Sequence, residues 1–79
     1  MERNEVLDKL TAIFRKVLNN ASLTLTNELT ANDVENWDSL THMLIISDIE
    51  SVFSIKLKLK ELNKMRNVGD MIETICSKL

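Results

Sequence analysis

"WDSLTHMLIISDIESVF", residues 37–53, is the stretch on which the reading of this chain turns. Plotted at the roughly 100° per residue of an α-helix, Ile45, Ile46, Ile49, Val52 and Phe53 fall on one side, as a core face should. Leu40, Met43 and Leu44 fall on the opposite side, next to Ser39. Further along, that second side is polar: Ser47, Asp48, Glu50 and Ser51. The spacing therefore predicts a helix from Ser39 to about Phe53 that is apolar nearly all round at its start. Such a helix buries both faces or offers one to a partner. Either the segment before it covers Leu40, Met43 and Leu44, or they form a docking patch. Its entry poses a second choice. Asp38 and Ser39 are both good N-cap residues, so Ser39 is either a cap or a hydroxyl held out for attachment.

Helical periodicity continues on both flanks. "EVLDKLTAIFRKVLNN" (5–20) places Val6, Leu7, Leu10, Ile13, Phe14, Val17 and Leu18 on one stripe. Acids stand early and Arg15 and Lys16 late, matching the helix dipole, and Asn19-Asn20 ends the run. From Val68 to Leu79 the stripe is Val68, Met71, Ile72, Ile75, Cys76 and Leu79, with Asn67 as cap and Asp70 in the first turn. The chain has no proline and one glycine, Gly69, which favours helices over turn-rich β architecture.

Between these helices lies a long polar connection, residues 21–37, whose Leu23, Leu25, Leu29, Val34 and Trp37 are expected to tuck onto the core. A connection of that length points to a functional loop or an unrecognised element. "SLTLT" (22–26) and "IKLKLKEL" (55–62) both alternate with period two, so a two-strand pairing is an alternative. The preferred reading of the latter is a loop leading into a short helix around Lys60 to Met65. The fold expected is all-α, a single domain spanning 1–79. It is a small four-helix bundle, three helices longer and one short, with Phe14, Ile46, Ile49, Phe53 and Ile72 buried.

Composition excludes several classes of function. One cysteine among 79 residues rules out an internal disulfide, and with one histidine it leaves no metal-ligand set. Net charge is −2, which gives no support for nucleic-acid binding. No apolar run approaches the roughly 20 residues of a membrane span. The charged start "MERNEVLDKL" has no signal-peptide core. A cytoplasmic, monomeric protein is the expectation. Cys76 on the last apolar stripe reads as a small hydrophobe.

"WDSL" opening a helix, the run ending in "IESVF", and "NVGDMIETI" opening a last helix together resemble the acyl carrier proteins. In that family a D-S-L stands at the start of the second of four helices and a V-G-D at the start of the fourth. The resemblance spans nearly the whole chain without a gap between the two motifs. It implies that Ser39 receives 4′-phosphopantetheine from coenzyme A as a phosphodiester. Asp38 would contact the phosphopantetheinyl transferase, where the family's equivalent acid helps position that enzyme's metal. Leu40, Met43 and Leu44 would meet the acyl-loading and acyl-processing enzymes of fatty acid, polyketide or related biosynthesis. An aminoacyl or peptidyl carrier, or an unmodified helical interaction module, are the alternatives. A phosphate ester there would also meet the free N–H groups and positive end of a helix. The carrier itself would not be a catalyst.

The chain departs from fatty-acid carriers of this family, whose second helix and following stretch are strongly acidic. Here Leu44 and Ser47 occupy exposed positions, and Lys56, Lys58, Lys60, Lys64 and Arg66 follow. The basic run is either a solvated face or a surface of altered partner preference. Trp37 ahead of the motif resembles stand-alone carriers of specialised pathways. A hydrolytic Ser39–His42 pair is the enzymatic alternative, since the two lie three residues apart. It lacks a nucleophile elbow, a third residue to orient the imidazole, and the chain length for a pocket.

Overall fold

The computed structural model describes residues 1–79 and is all-helical. Helix α1 runs Arg3–Val17, α2 Ser39–Phe53, the one-turn α3 Leu59–Leu62, and α4 Val68–Lys78. Helix α1 packs on both α2 and α4. Val6, Leu10, Ile13 and Phe14 from α1 meet Ile45, Ile46, Ile49 and Phe53 from α2 and Val68, Met71, Ile72 and Ile75 from α4 in one core. All five expected core residues are buried.

Two parts of the apolar stripes lie elsewhere. Val52 was expected in the core but is 47% exposed. It faces a shallow depression with Lys9, Ala12, Ile13 and Lys16 of α1, where alanine is too small to cover it, Lys9 is exposed and Lys16 turns to Asp48. Leu79, one residue beyond α4, is also exposed. The short helix begins one residue earlier than expected and ends three earlier, at Leu62, leaving Met65 as a buried anchor of the loop before α4.

Neither α1 nor α2 closes on glycine. Asn19 (φ 53°) and Ser54 (φ 55°) take the left-handed conformation that lets the next amide reach back. The Asn20 N–H donates to the Arg15 carbonyl (3.0 Å) and the Ile55 N–H to that of Glu50 (3.2 Å). Ion pairs tie the helices at their polar edges: Lys16 Nζ to Asp48 (2.9 Å), and Lys78 Nζ to Glu61 (2.9 Å).

The long connection forms no strand, because helix ends take its backbone groups. The Leu23 carbonyl accepts from Arg15 Nε (2.9 Å). The Asn27 and Leu29 carbonyls accept from the Gly69 and Val68 amides (3.0 Å each) at the start of α4. Asn67 Oδ1 takes the Asp70 amide (2.8 Å), completing that first turn. A Cβ on Gly69 would lie 3.1 Å from the Asn27 carbonyl oxygen, so glycine here permits the close approach of loop to helix. Leu25 and Trp37 are buried from the loop side, and Leu23, Leu29 and Val34 pack on the core partly covered. One element had not been expected, a 3₁₀ turn at Ala31–Asp33. The Thr30 N–H and hydroxyl both donate to Asp33 Oδ2 (3.1 Å each), a pairing visible afterwards in "TAND" as a cap spacing.

Candidate functional site

The site is assembled at the entry to α2, where the capping choice resolves in favour of Asp38. Its Oδ1 accepts from the amides of Leu40 and Thr41 (3.0 Å each), while its own N–H donates to Thr41 Oγ1 (2.8 Å). The Thr41 hydroxyl donates to the Asn36 carbonyl (2.6 Å), fixing the chain just before the cap, where Asn36 has φ 70°. The Thr41 amide, with a further bond from the Leu40 amide, holds the Asp38 carboxyl below its ordinary value although burial opposes this. Asp38 is thus an anion with Oδ2 left unbonded.

Ser39 is therefore not the cap. It occupies the first position of α2, is exposed, and its hydroxyl makes no hydrogen bond within the protein. The expected row of free N–H groups is largely occupied. Leu40 and Thr41 donate to Asp38 Oδ1, and His42 N–H to the Asp38 carbonyl (2.8 Å). Only the amide of Ser39 itself remains. A group on this serine meets the positive end of the dipole but not a cradle of amides.

Leu40, Met43 and Leu44 are 72%, 54% and 50% exposed, so the loop does not cover them. Leu59 on α3 is exposed as well. The acids of α2 are drawn inward. Asp48 pairs with Lys16, and Glu50 Oε2 accepts from the Leu57 N–H (2.9 Å). Lys56, Lys58, Lys60 and Lys64 join no ion pair, and Arg66 stands 3.9 Å from Asp70.

His42 turns away from the role of catalytic base. Its Nδ1 accepts from Trp37 Nε1 (3.1 Å), and no hydrogen bond joins it to Ser39. The two rings stack at 6.1 Å and 22°, and Trp37 also meets Phe14 edge-on at 4.9 Å and 88°. Half-burial pushes the His42 pKa down, favouring the neutral ring. This pairing was not foreseen. Its one signal in the sequence is that the only tryptophan and the only histidine stand five residues apart across a helix cap. Ala31, Asn32, Trp37, Asp38, Ser39, His42 and Met43 line an open depression of about 650 Å³ beside the serine hydroxyl.

A scan against protein-family models gives no match, and neither does a search of curated proteins. A solved structure does match. It is the solution NMR structure of holo acyl carrier protein from Geobacter metallireducens, 46% identical, covering 92% of this chain and 84% of that one, with a TM-score of 0.87. This chain belongs to the acyl carrier protein family. As an acyl carrier protein it has the family's four helices, with the D-S-L at the mouth of α2 and the V-G-D binding the long loop to α4. No helix is long and apolar enough to cross a membrane, and no three His, Cys, Asp or Glu side chains come together as a metal site would require.

Proposed function

We propose that this protein carries acyl groups as thioesters on a 4′-phosphopantetheine arm attached to Ser39 and donated by coenzyme A. It would deliver them to partner enzymes of fatty acid, polyketide or related biosynthesis without itself catalysing a reaction. The observation that carries this is the exposed, unbonded hydroxyl of Ser39 at the first position of α2 in a chain of this family. The fit to the arm is good. Nothing within the protein competes for the hydroxyl, and the neighbouring depression leaves room for a substituent. The arm supplies the thiol that holds the acyl group. The protein supplies position, because a tether fixed at a rigid helix entry raises the cargo's local concentration at a docked active site.

The other serines offer no equal setting. Ser22 and Ser77 donate to Asn20 Oδ1 and the Thr74 carbonyl. Ser47 and Ser51 lie within α2, and Ser54 closes it in the left-handed conformation. Asp38 is assigned to the transferase through its free Oδ2, and Leu40, Met43 and Leu44 to docking of the enzymes that use the arm. Incubation with coenzyme A and a broad-specificity phosphopantetheinyl transferase should add one phosphopantetheine to the intact mass of the wild type and none to Ser39→Ala. Persistence of the gain in Ser39→Ala would overturn the assignment of the serine. No gain in the wild type would leave an unmodified interaction module.

A further inference from the structure

We propose that His42 binds the phosphodiester on Ser39 by donating from Nε2–H, with Trp37 holding the imidazole from its other nitrogen. The inference rests on the carrier function proposed above and adds to it a phosphate-binding residue.

The need for such a donor follows from the helix entry. A phosphodiester is an anion, yet Asp38 Oδ1 and the Asp38 carbonyl have taken the amides of Leu40, Thr41 and His42. No lysine or arginine lines the depression, and its one charged side chain, Asp38, has the same sign as the phosphate. The other lining side chains, Ala31, Asn32, Trp37 and Met43, are neutral. Beside the free amide of Ser39, His42 is the one lining group that can both donate to the phosphodiester and gain positive charge.

Its geometry fits. An indole N–H can only donate, so His42 Nδ1 presents a lone pair to Trp37 and Nε2 carries the proton. Nε2 has no partner in the protein, and no buried side-chain nitrogen or oxygen is left unpaired, so Nε2 reaches solvent. Residues three apart on a helix are neighbours on its surface, and Ser39 and His42 share one depression. Asn32, the other neutral donor, is exposed on the 3₁₀ turn. His42 is instead clamped between a rigid helix and an indole that is itself braced on Phe14.

A consequence can be measured. Burial and the bond from Trp37 favour the neutral ring, whereas an adjacent phosphodiester favours the imidazolium. Protonating Nδ1 removes the acceptor for Trp37 Nε1–H, so attachment at Ser39 and the Trp37–His42 bond are coupled.

The test compares apo protein with protein whose intact mass shows one phosphopantetheine. Imidazole and indole resonances are followed by NMR from about pH 5 to 8, the range in which histidine titrates. His42 and Trp37 are the only residues of their kinds, so both signals are unambiguous. The His42 midpoint should rise on modification by about half to one pH unit, a three- to tenfold change in its acid constant. The Trp37 indole signal should move with the same midpoint. A phosphodiester has no proton to exchange in this range, so its ³¹P shift should follow pH only through His42. It should be flat in His42→Gln, whose folding is checked by the helical circular dichroism signal. An equal His42 midpoint in apo and modified protein, or a ³¹P shift that is flat in the wild type, would overturn the proposal. Failure to gain mass would instead overturn the carrier reading itself, and this inference with it.

Discussion

Phe14 joins the core to the functional end, and its truncation tests that link quantitatively. The side chain is fully buried on α1 and braces Trp37 edge-on at 4.9 Å. Phe14→Ala should cost about 3–5 kcal/mol, the range for emptying a buried phenylalanine site, which already includes an aromatic contact worth about 1 kcal/mol. A domain of 79 residues has roughly 4–12 kcal/mol in total, so this variant stands near the edge of unfolding. Phe14→Leu is the measurable companion. It removes three carbons but keeps a branched apolar group, and about 1–2 kcal/mol should be lost. With a urea slope near 1 kcal/mol/M for a chain of this size, the midpoint should fall by about 1–2 M. Trp37 emission reports both unfolding and its own surroundings, so the folded baseline of Phe14→Leu should also change as the indole loses its brace. A midpoint shift below about 0.5 M, or an unaltered folded baseline, would refute the claim that the site rests on the core through this contact.

Acid should weaken the fold in two stages. The folded pKa values of His42 and Asp38 are both depressed, so each group contributes stability above its unfolded value and loses it as pH falls. The His42 share should decline as pH falls below 6.5 and that of Asp38 below 3.8. Melting temperatures against pH should show the first stage vanish in His42→Gln, and an unchanged profile would refute it. Ser54→Gly should raise stability by about 0.5–1 kcal/mol, because the strain of φ 55° outweighs the added freedom of glycine in the unfolded chain; a lowered urea midpoint would contradict this. Leu44→Glu should leave the melting temperature within a degree or two yet reduce the kcat/KM of loading by the transferase about tenfold, because an apolar docking contact worth roughly 1–2 kcal/mol is lost. Loading that is as efficient as the wild type's would show that Leu44 lies outside the docking surface. The same kinetics should depend weakly on salt, since screening weakens charge pairs and leaves apolar burial intact.

What could be read from the sequence was what periodicity and capping chemistry control. The two faces of α2 follow from the 3.6-residue repeat. The end of α2 at Phe53 and the Asn67 cap of α4 fall where expected. Tertiary context decided the rest. Val52 has the right angle on the wheel but meets Ala12 and two lysine stems, and no helical plot of α2 alone contains that information. "SLTLT" alternates like a strand, yet its neighbours' carbonyls go to the open amides of α4 through a glycine forty-odd residues later in the chain. At the site, the offset of Ser39 from the cap depended on which of two competent capping residues won. The two amides bound by Asp38 Oδ1 settle it. The Trp37–His42 bond crosses the cap from loop to helix, a distance that neither the loop's nor the helix's own periodicity describes.

The central claim, that Ser39 is the point at which this carrier receives its arm, is tested most directly by locating the modification within the chain. After reaction with coenzyme A and the transferase, the protein is digested and the modified peptide fragmented in a mass spectrometer. One phosphopantetheine per chain, on the residue between Asp38 and Leu40, is the expected result. A modification found on Ser47, Ser51 or any other residue, or a chain that emerges unmodified, would contradict it.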